Sequence, residues 1–225
     1  MNYAIIVAGG VGSRSGDSLP KQFHIINGKP MLWWTLRAFH EENKETGLIV
    51  VMHKDFVEYW DEIKGSDCPE HHVVTGGATR TASVAAGLSA IGDDASGLAG
   101  VHDAARPLVS RRLISCGWKF AAEHKAVIPA VAVSDSLREG TKEESHSVDR
   151  SRFFSVQTPQ VFEISLLKKA YAAAADAEGV TFTDDASVVE WYGHPVKIFD
   201  GDPLNIKVTY PIDFHIAGFY LKSDR

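Results

Sequence analysis

The chain has 225 residues, of which 44% are hydrophobic and 23% are charged, so it is long and apolar enough to bury one sizeable core. This composition excludes a peptide hormone, a disordered tail and a disulfide knot. The formal net charge of -6 provides no overall basic field for nucleic acid or anionic lipid, so a polyanion must be bound locally. Its apolar runs are far shorter than a membrane span, and no signal peptide is apparent. We therefore expect a single cytoplasmic domain over residues 1–225.

Short apolar runs alternate along the chain with segments whose apolar residues recur at helical spacing. Strands are predicted at Tyr3–Ala8, Leu48–Met52, His72–Val74, Leu98–Val101 and Val127–Val131. Helices are predicted at Pro30–Phe39, Phe56–Lys64, Thr81–Ile91 and Arg111–His124, with a later helix through Ile164, Leu167, Tyr171 and Ala174. Such alternation is typical of βαβ units. The predicted fold class is therefore α/β, with a doubly wound, mostly parallel twisted sheet.

Residues 133–154 interrupt this alternation, because from Ser134 to Arg152 the composition turns to Ser, Glu, Lys, Arg and Asp. One interpretation is a solvated surface loop. The other is a protruding β-hairpin arm for dimerisation, in which Val133–Glu139 returns as Ser147–Phe154 and pairs with another subunit. A long irregular segment inside a compact domain usually has a function. Beyond the arm, the pattern predicts a helix, a short strand at Val196–Phe199 and a final amphipathic helix after Pro211.

The first predicted strand leads into a glycine-rich segment, Ala8-Gly9-Gly10-Val11-Gly12-Ser13-Arg14, which continues to Leu19-Pro20-Lys21-Gln22. Glycine lets backbone N–H groups approach an anion, and open α/β sheets bind ligands at the carboxyl ends of their strands. The spacing excludes a P-loop, a dinucleotide fingerprint and a G-x-S-x-G elbow. Because Arg14 and Lys21 flank the glycines, the segment predicts a triphosphate site. A glycine turn with solvated cations is the alternative.

A second candidate group follows another predicted strand, in Val101-His102-Asp103-Ala104-Ala105-Arg106-Pro107. Mg²⁺ usually takes one or two carboxylates together with phosphates, so Asp103 is a candidate ligand. A local salt bridge between Asp103 and Arg106 is the alternative. Two weaker segments are Asn205-Ile206-Lys207-Val208-Thr209, which predicts an inward cation, and Thr183-Asp184-Asp185-Ala186-Ser187, which predicts a helix start with a Thr cap.

Taken together, these motifs resemble the 2-C-methyl-D-erythritol 4-phosphate cytidylyltransferase family, bacterial enzymes of the non-mevalonate route to isoprenoid precursors. The resemblance is nearly collinear over the whole chain. It rests on Ala8-Gly9-Gly10-x-Gly12-x-Arg14, Pro20-Lys21-Gln22, Gly76-Gly77, Arg80, Ser83, the segment from His102 to Pro107, Val148-Asp149-Arg150, Thr158-Pro159-Gln160, and the segments from Thr183 to Ser187 and from Asn205 to Thr209. It implies a Rossmann-like nucleotidyltransferase fold, CTP and a sugar-alcohol phosphate as substrates, Mg²⁺ held mainly by the CTP phosphates, and a homodimer formed through the arm.

The resemblance also implies roles for individual residues. The implied catalytic residues are Arg14, Lys21 and Lys207, which would hold the reacting phosphates. The implied substrate-binding residues are Ala8, Gly9, Gly10, Gly76, Gly77, Arg80, Ser83, Asp103, Ala104, Arg106, Ser136, Arg150, Thr158 and Thr183. Of these, Ser136 and Arg150 would reach the acceptor from a second subunit. The chain departs from the family's common residues at Gly9, where alanine is usual, at Ala78, where an acid is frequent, and at Ser136, where threonine is common.

The expected reaction is attack of the acceptor's phosphate oxygen on the α-phosphorus of CTP, which releases pyrophosphate and forms 4-diphosphocytidyl-2-C-methyl-D-erythritol. A phosphate monoester is already largely dianionic at neutral pH, so the reaction needs cations and positioning rather than a general base. A ribitol-5-phosphate cytidylyltransferase is the nearest alternative, although Ala104-Ala105 and Val148-Asp149-Arg150 favour methylerythritol phosphate. A non-catalytic nucleotide-binding regulatory module is an alternative of another class, and it would be expected to lack the cations.

Overall fold

The computed structural model describes residues 1–10, 19–175, 177 and 179–222. Within these ranges the strands are β1 (Tyr3–Ala8), β2 (Ile25–Ile26), β3 (Lys29–Pro30), β4 (Gly47–Met52), β5 (His72–Thr75), β6 (Leu98–Asp103), β7 (Ala126–Ala132), β8 (Arg138–Gly140), β9 (Ser145–Ser147), β10 (Phe154–Val156), β11 (Gln160–Glu163) and β12 (Lys197–Asp200). The helices are α1 (Met31–Glu42), α2 (Val57–Ile63), α3 (Arg80–Ser89), α4 (Arg111–His124), α5 (Ile164–Ala174), α6 (Asp185–Trp191) and α7 (Pro211–Tyr220). In this part of the chain, no helix has both the length and the apolar character that a bilayer crossing requires.

The main sheet has the strand order β10-β7-β11-β6-β1-β4-β5, and β12 also pairs with β7. The β1–β4, β1–β6, β4–β5 and β7–β12 pairs are parallel. In contrast, β10 and β11 run antiparallel to their neighbours. The predicted α/β fold with a mostly parallel sheet is therefore confirmed. Sequence analysis missed β10 and β11 because strands of three and four residues carry little periodicity.

The strand order reverses direction at β1. The chain leaves β1 for α1 and β4 on one side, and it reaches β6 on the other side only after α3. Such a switch point opens a crevice outside the carboxyl ends of the strands, where α/β sheets bind ligands. Ala8 ends β1 and Asp103 ends β6, so the two candidate segments of the sequence meet at this crevice.

Alternation of side chains along β1 supplies a core on each face of the sheet. Ile6 is fully buried on one face in a cluster with Leu36 of α1 and Ile114 of α4. Its neighbour Ile5 is fully buried on the other face, in a cluster with Leu88 of α3. Each such side chain contributes about 1.5–3 kcal/mol through removal of apolar surface from water. Helices therefore cover both faces, as the doubly wound prediction requires, and hold the crevice edge rigid.

The arm contains a hairpin that is shorter than the sequence predicts. β8 and β9 are antiparallel, with Arg138 opposite Ser147. The predicted strands Val133–Glu139 and Ser147–Phe154 are too long at the base of the hairpin, where Phe154 already belongs to β10 of the main sheet, and stop short at its tip, where β8 reaches Gly140 and β9 begins at Ser145. The hairpin thus extends from β7 and β10, and among the described residues its short strands form a separate two-stranded sheet.

The start of α6 differs from the predicted threonine cap. Asp184 is the N-cap residue, and its carboxylate accepts a hydrogen bond from the Ser187 backbone N–H at 2.9 Å. The Ser187 hydroxyl also accepts from the Asp184 N–H, which completes a capping box. The prediction of a Thr183 cap is wrong because the carboxylate one residue later fits the N3 amide. Thr183 itself is exposed.

Candidate active site

A cavity of about 450 Å³ opens at the carboxyl ends of β1 and β6. A cavity of this size is ordinary for the binding of a small organic ligand. The predicted site residues that line it are Ala8, Gly9, Gly10, Lys21, Gly77, Arg80, Ser83, Asp103, Ala104 and Lys207. Residues from five separate parts of the sequence therefore share one cavity.

Six of the predicted site residues that the structure describes are not part of this lining. Gly76 and Arg106 adjoin lining residues, and Thr158 lies behind the wall, where it contacts the backbone of Asp103. Ser136 and Arg150 lie in the arm, where both are exposed and Arg150 donates to the Ser134 carbonyl. Thr183 is likewise outside the lining, and Arg14 falls outside the described residues.

The described end of the glycine-rich segment is fixed by a buried glutamine that sequence analysis did not assign a role. The Gln22 side-chain amide donates to the Ala8 carbonyl at 2.6 Å and to the Gly10 carbonyl at 3.2 Å. A buried amide whose donors face two carbonyls holds the backbone in place. The only signal for Gln22 was its position after Pro20-Lys21.

The Gly76-Gly77 turn needs glycine because it packs directly against α3. A Cβ at Gly76 would lie 2.8 Å from the Ser83 Oγ, and one at Gly77 would lie 2.5 Å from the Ala82 Cβ. Ser83 Oγ also donates to the Thr79 carbonyl at 2.9 Å. This wall of the cavity is consequently formed by backbone and small side chains, which leaves space for a flat ligand group.

Asp103 is the centre of the charged wall. Its carboxylate lies 2.8 Å from the Lys207 Nζ, 3.7 Å from the Arg106 Nε and 4.0 Å from the Arg80 Nε. Burial would raise the pKa of Asp103, but the three cations outweigh burial and hold its pKa below the ordinary value. The Asp103–Arg106 salt bridge, which the sequence left as an alternative, is present. It does not exclude a binding role, because Asp103 also faces the cavity.

Arg80 is held from behind by an acid that sequence analysis read only as part of a helix start. Its two terminal nitrogens donate to the two carboxylate oxygens of Asp185, at 3.0 Å and 2.6 Å. Asp185 is fully buried, and Tyr171 donates to it at 2.5 Å. Burial would lower the pKa of Arg80, but the charge and hydrogen bonds of Asp185, together with the charge of Asp103, outweigh burial and raise it. The guanidinium thus stays charged at the cavity wall.

The last loop is tied to the turn after β6 by hydrogen bonds that bring two lysines to the same cavity. Asn205, fully buried, donates to the Thr158 carbonyl at 2.8 Å and accepts from Arg106 through its own carbonyl at 2.8 Å. The Val208 backbone carbonyl accepts a hydrogen bond from the Lys21 Nζ at 3.2 Å. Lys21 and Lys207, which are far apart in the sequence, therefore line the same cavity.

A hydrogen-bonded chain supports the backbone beneath Asp103. The Asp103 N–H donates to the Thr158 hydroxyl at 3.1 Å, and that hydroxyl lies 3.0 Å from the His102 Nδ1. The His102 Nε2 lies 3.2 Å from the Arg106 carbonyl. His102 is completely buried, and this burial lowers its pKa to about 4. The imidazole is therefore neutral at physiological pH and fixes both ends of the turn from Asp103 to Arg106.

The donor set suits a divalent cation that is bound mainly by a ligand. No group of three or more His, Cys, Asp or Glu side chains that could hold a metal occurs in residues 1–10, 19–175, 177 and 179–222. Asp103 is the one acid among the described lining residues. Because Mg²⁺ commonly takes one carboxylate and completes its shell with phosphates and water, Asp103 fits such a shared site, whereas a protein-only metal site is not formed here.

The buried neutral His102 predicts a loss of stability in mild acid. Its pKa is about 4 in the fold against an ordinary 6.5, so below pH 6.5 the unfolded chain binds a proton that the folded chain does not. We expect His102 to remove about 2 kcal/mol of unfolding free energy between pH 7 and pH 5. The variant His102→Gln should be less stable at pH 7 but should show a shallower decline, measured by urea denaturation at both pH values. An exposed control, His215→Gln, should keep the wild-type slope, and equal slopes for all three proteins would contradict this account.

A family model and a relative of similar sequence carry the same description. The family model described as 2-C-methyl-D-erythritol 4-phosphate cytidylyltransferase matches residues 2–223. A relative of that name from Bacteroides thetaiotaomicron is 44% identical over 223 residues, covering 96% of this chain and 98% of its own.

Solved structures agree with these sequence matches. The crystal structure of 2-C-methyl-D-erythritol 4-phosphate cytidylyltransferase from Thermus thermophilus aligns with a TM-score of 0.79 at 31% identity, over 97% of this chain and 98% of that one. A 4-diphosphocytidyl-2C-methyl-D-erythritol synthase from Anaerococcus prevotii aligns with a TM-score of 0.85 at 26% identity, over 99% and 98% of the two chains. With both the family model and a relative well above 30% identity spanning nearly all of its length, the chain belongs to the 2-C-methyl-D-erythritol 4-phosphate cytidylyltransferase family.

Proposed function

We propose that this protein transfers the cytidylyl group of CTP to 2-C-methyl-D-erythritol 4-phosphate and releases pyrophosphate. The observation that carries the proposal is the shared cavity in which Lys21, Arg80 and Lys207 surround a glycine-lined strand end. Family membership gives the substrates, since the relatives' names specify both the cytidylyl group and the acceptor. Cations around a backbone rim match the needs of two phosphate-bearing substrates.

The reaction needs no protein nucleophile. The acceptor's phosphate oxygen forms a bond to the α-phosphorus of CTP, while the bond from that phosphorus to the bridging oxygen breaks and pyrophosphate leaves. Neither Cys nor His lines the described part of the cavity, and the Ser83 hydroxyl donates to a backbone carbonyl. Because the acceptor phosphate is largely dianionic at neutral pH, it attacks without a general base.

Electrostatic repulsion between the substrates is the barrier that the side chains must reduce. Lys21 and Lys207 line the same cavity, so their ammonium groups can both screen the reacting phosphates. Lys207 has three N–H donors, of which the contact with Asp103 at 2.8 Å uses one. The remaining donors can hydrogen-bond to the leaving oxygen as negative charge develops on it, which is the usual role of preorganised donors.

Mg²⁺ is the cofactor that fits the charge balance of this cavity. Asp103 would hold it together with CTP phosphate oxygens, and the bound ion would neutralise charge on the triphosphate. Lys207 and Arg80 lie 2.8 Å and 4.0 Å from Asp103 and help to keep its carboxylate ionised.

A second copy of the chain would complete the acceptor side. Ser136 and Arg150 are exposed in the arm and do not line the cavity of their own chain. Phe153 and Phe154 at the end of the arm and Val156 just after it are 45%, 50% and 39% exposed, which is costly for side chains of this size unless another surface covers them. These features support a homodimer in which each arm serves the other subunit's cavity.

The acceptor is tested by pyrophosphate release. We expect release when the protein is incubated with CTP, Mg²⁺ and 2-C-methyl-D-erythritol 4-phosphate, and little when ribitol 5-phosphate replaces that acceptor. Mass spectrometry should detect the cytidine diphosphate product in the first mixture only. Faster release with ribitol 5-phosphate would reassign the acceptor, and binding of CTP without release from either would favour a regulatory module.

The two lysines are expected to act on the chemical step. Lys21→Ala and Lys207→Ala should each lower kcat by about 10²–10³-fold, the usual effect of removing one transition-state donor. The control Lys29→Ala removes an ion pair with Asp67 at the surface and should leave kcat unchanged. Steady-state pyrophosphate assays give the values, and near-normal kcat in either cavity variant would remove that lysine from the mechanism.

The arm is tested by subunit complementation. Arg150→Ala should raise KM for the acceptor with little change in KM for CTP. Arg152 is also exposed and lies two residues away, so Arg152→Ala serves as the control and should change neither KM. Mixing Arg150→Ala with Lys21→Ala subunits should restore part of the activity, because one mixed cavity then has both intact residues. No recovery after verified subunit exchange would show that Arg150 does not act across the dimer.

A further inference from the structure

Arg80 faces the cavity at the first residue of α3, but its position is set by residues from two other helices. The Arg80 side chain is 32% exposed, while Asp185 of α6 and Tyr171 of α5 are 0% and 5% exposed behind it. An arginine side chain has several rotatable bonds and loses considerable entropy when fixed. A rigid partner is therefore needed to keep the guanidinium at one point of the wall.

Asp185 is rigid independently of Arg80. The adjacent Asp184 caps α6, and Gln160 of β11, 1% exposed, accepts from the Ala186 N–H at 2.9 Å and donates to the Asp184 carboxylate at 2.8 Å. The start of α6 is thus attached to the central sheet. Removal of Arg80 would leave these contacts intact, so Asp185 is the anchor and Arg80 is the anchored group.

The geometry leaves Arg80 with donors for a second partner. A guanidinium has five N–H donors, and Asp185 takes two of them, one on each terminal nitrogen. The Arg80 Nε lies 4.0 Å from the nearer Asp103 oxygen, too far for a hydrogen bond. Asp103 is instead bound by Lys207 at 2.8 Å. Two carboxylates therefore compete for one arginine, and the buried one binds it.

We propose that Asp185, assisted by Tyr171, is a positioning residue that restrains Arg80 from pairing with Asp103 and keeps it available to the nucleotide. Without the Asp185 charge, the guanidinium would turn to Asp103 as the nearest carboxylate and displace Lys207. Both Arg80 and Asp103 would then be unavailable to ligand. A buried ion pair adds little net stability compared with apolar packing, so the pair is better explained by placement of Arg80 than by stability. This inference rests on the proposed function only in taking CTP as the ligand.

A double-mutant cycle on CTP affinity tests the proposal. Asp185→Asn and Arg80→Gln should each raise the Kd for CTP by about tenfold, within the range of coupled residues. The double variant should bind no more than about twofold weaker than Arg80→Gln alone, since Asp185 acts through Arg80. Isothermal titration calorimetry supplies the Kd values, and thermal melts verify folding. The proposal would be overturned if the increases in Kd of the two single variants multiplied in the double variant. Normal CTP affinity in Asp185→Asn would also overturn it.

A milder variant covers the case in which Asp185→Asn does not fold. Tyr171→Phe removes one hydroxyl that donates to Asp185 and keeps the ring in the core. It should weaken CTP binding about threefold in the wild-type background and have no effect in the Arg80→Gln background. The same loss in both backgrounds would indicate a structural role only. The control is Asp93→Asn, which should bind CTP normally. It breaks a surface ion pair with Lys168, a residue of α5 like Tyr171.

The result of the double-mutant cycle does not depend on the result of the pyrophosphate-release test. CTP affinity is measured without acceptor, so the cycle can succeed even if neither acceptor yields pyrophosphate. If the wild-type protein does not bind CTP, the proposed function fails. The position of Arg80 is then tested by a crystal structure of ligand-free Asp185→Asn. If Asp185→Asn does not fold, ligand-free Tyr171→Phe is used instead. Arg80 moved onto Asp103 would support the positioning proposal, and Arg80 in its wild-type place would contradict it.

Discussion

The carboxylate of Asp103 is the single charge around which the cavity is arranged. It ends β6 at the switch point of the sheet, and Lys207, Arg106 and Arg80 reach it from three different segments. An unpaired carboxylate there would repel a polyanion, and the same cations without it would repel one another. By sharing one acid, they form a compact basic wall on a protein whose net charge is -6. The cavity wall is therefore positively charged although the protein as a whole is acidic.

The fold explains how residues so far apart converge. Parallel strands all end at the same edge, so the residues after β1 and β6 become neighbours although about a hundred positions separate them. The last loop then adds Lys207, and buried Asn205 attaches that loop to the turn after β6. Rigid cores on both faces keep this edge fixed, which matters because electrostatic stabilisation depends on donors that do not have to move.

Much of this arrangement was predictable because it depends on local pattern. Apolar runs located the strands, and glycines or acids at their ends located Gly9, Gly10 and Asp103. What sequence could not supply was the choice of partner for buried polar groups. Gln22 and Asp185 had no periodic or motif signal that would reveal which carbonyl or cation each would bind, since those partners lie across the fold. The arm bounds failed for a related reason, because strand pairing of two or three residues is decided by the partner strand.

The hydrogen bonds beneath Asp103 have only one direction in which they can run. A backbone amide can only give its proton and a backbone carbonyl can only accept one, so the Asp103 N–H and the Arg106 oxygen fix the two ends of the chain. The Thr158 hydroxyl must therefore point its hydrogen at His102, whose own hydrogen sits on Nε2. An imidazole confined to one tautomer in this way has no route to relay protons. His102 therefore has a structural role, since its ring links the two ends of the turn beneath the charged wall.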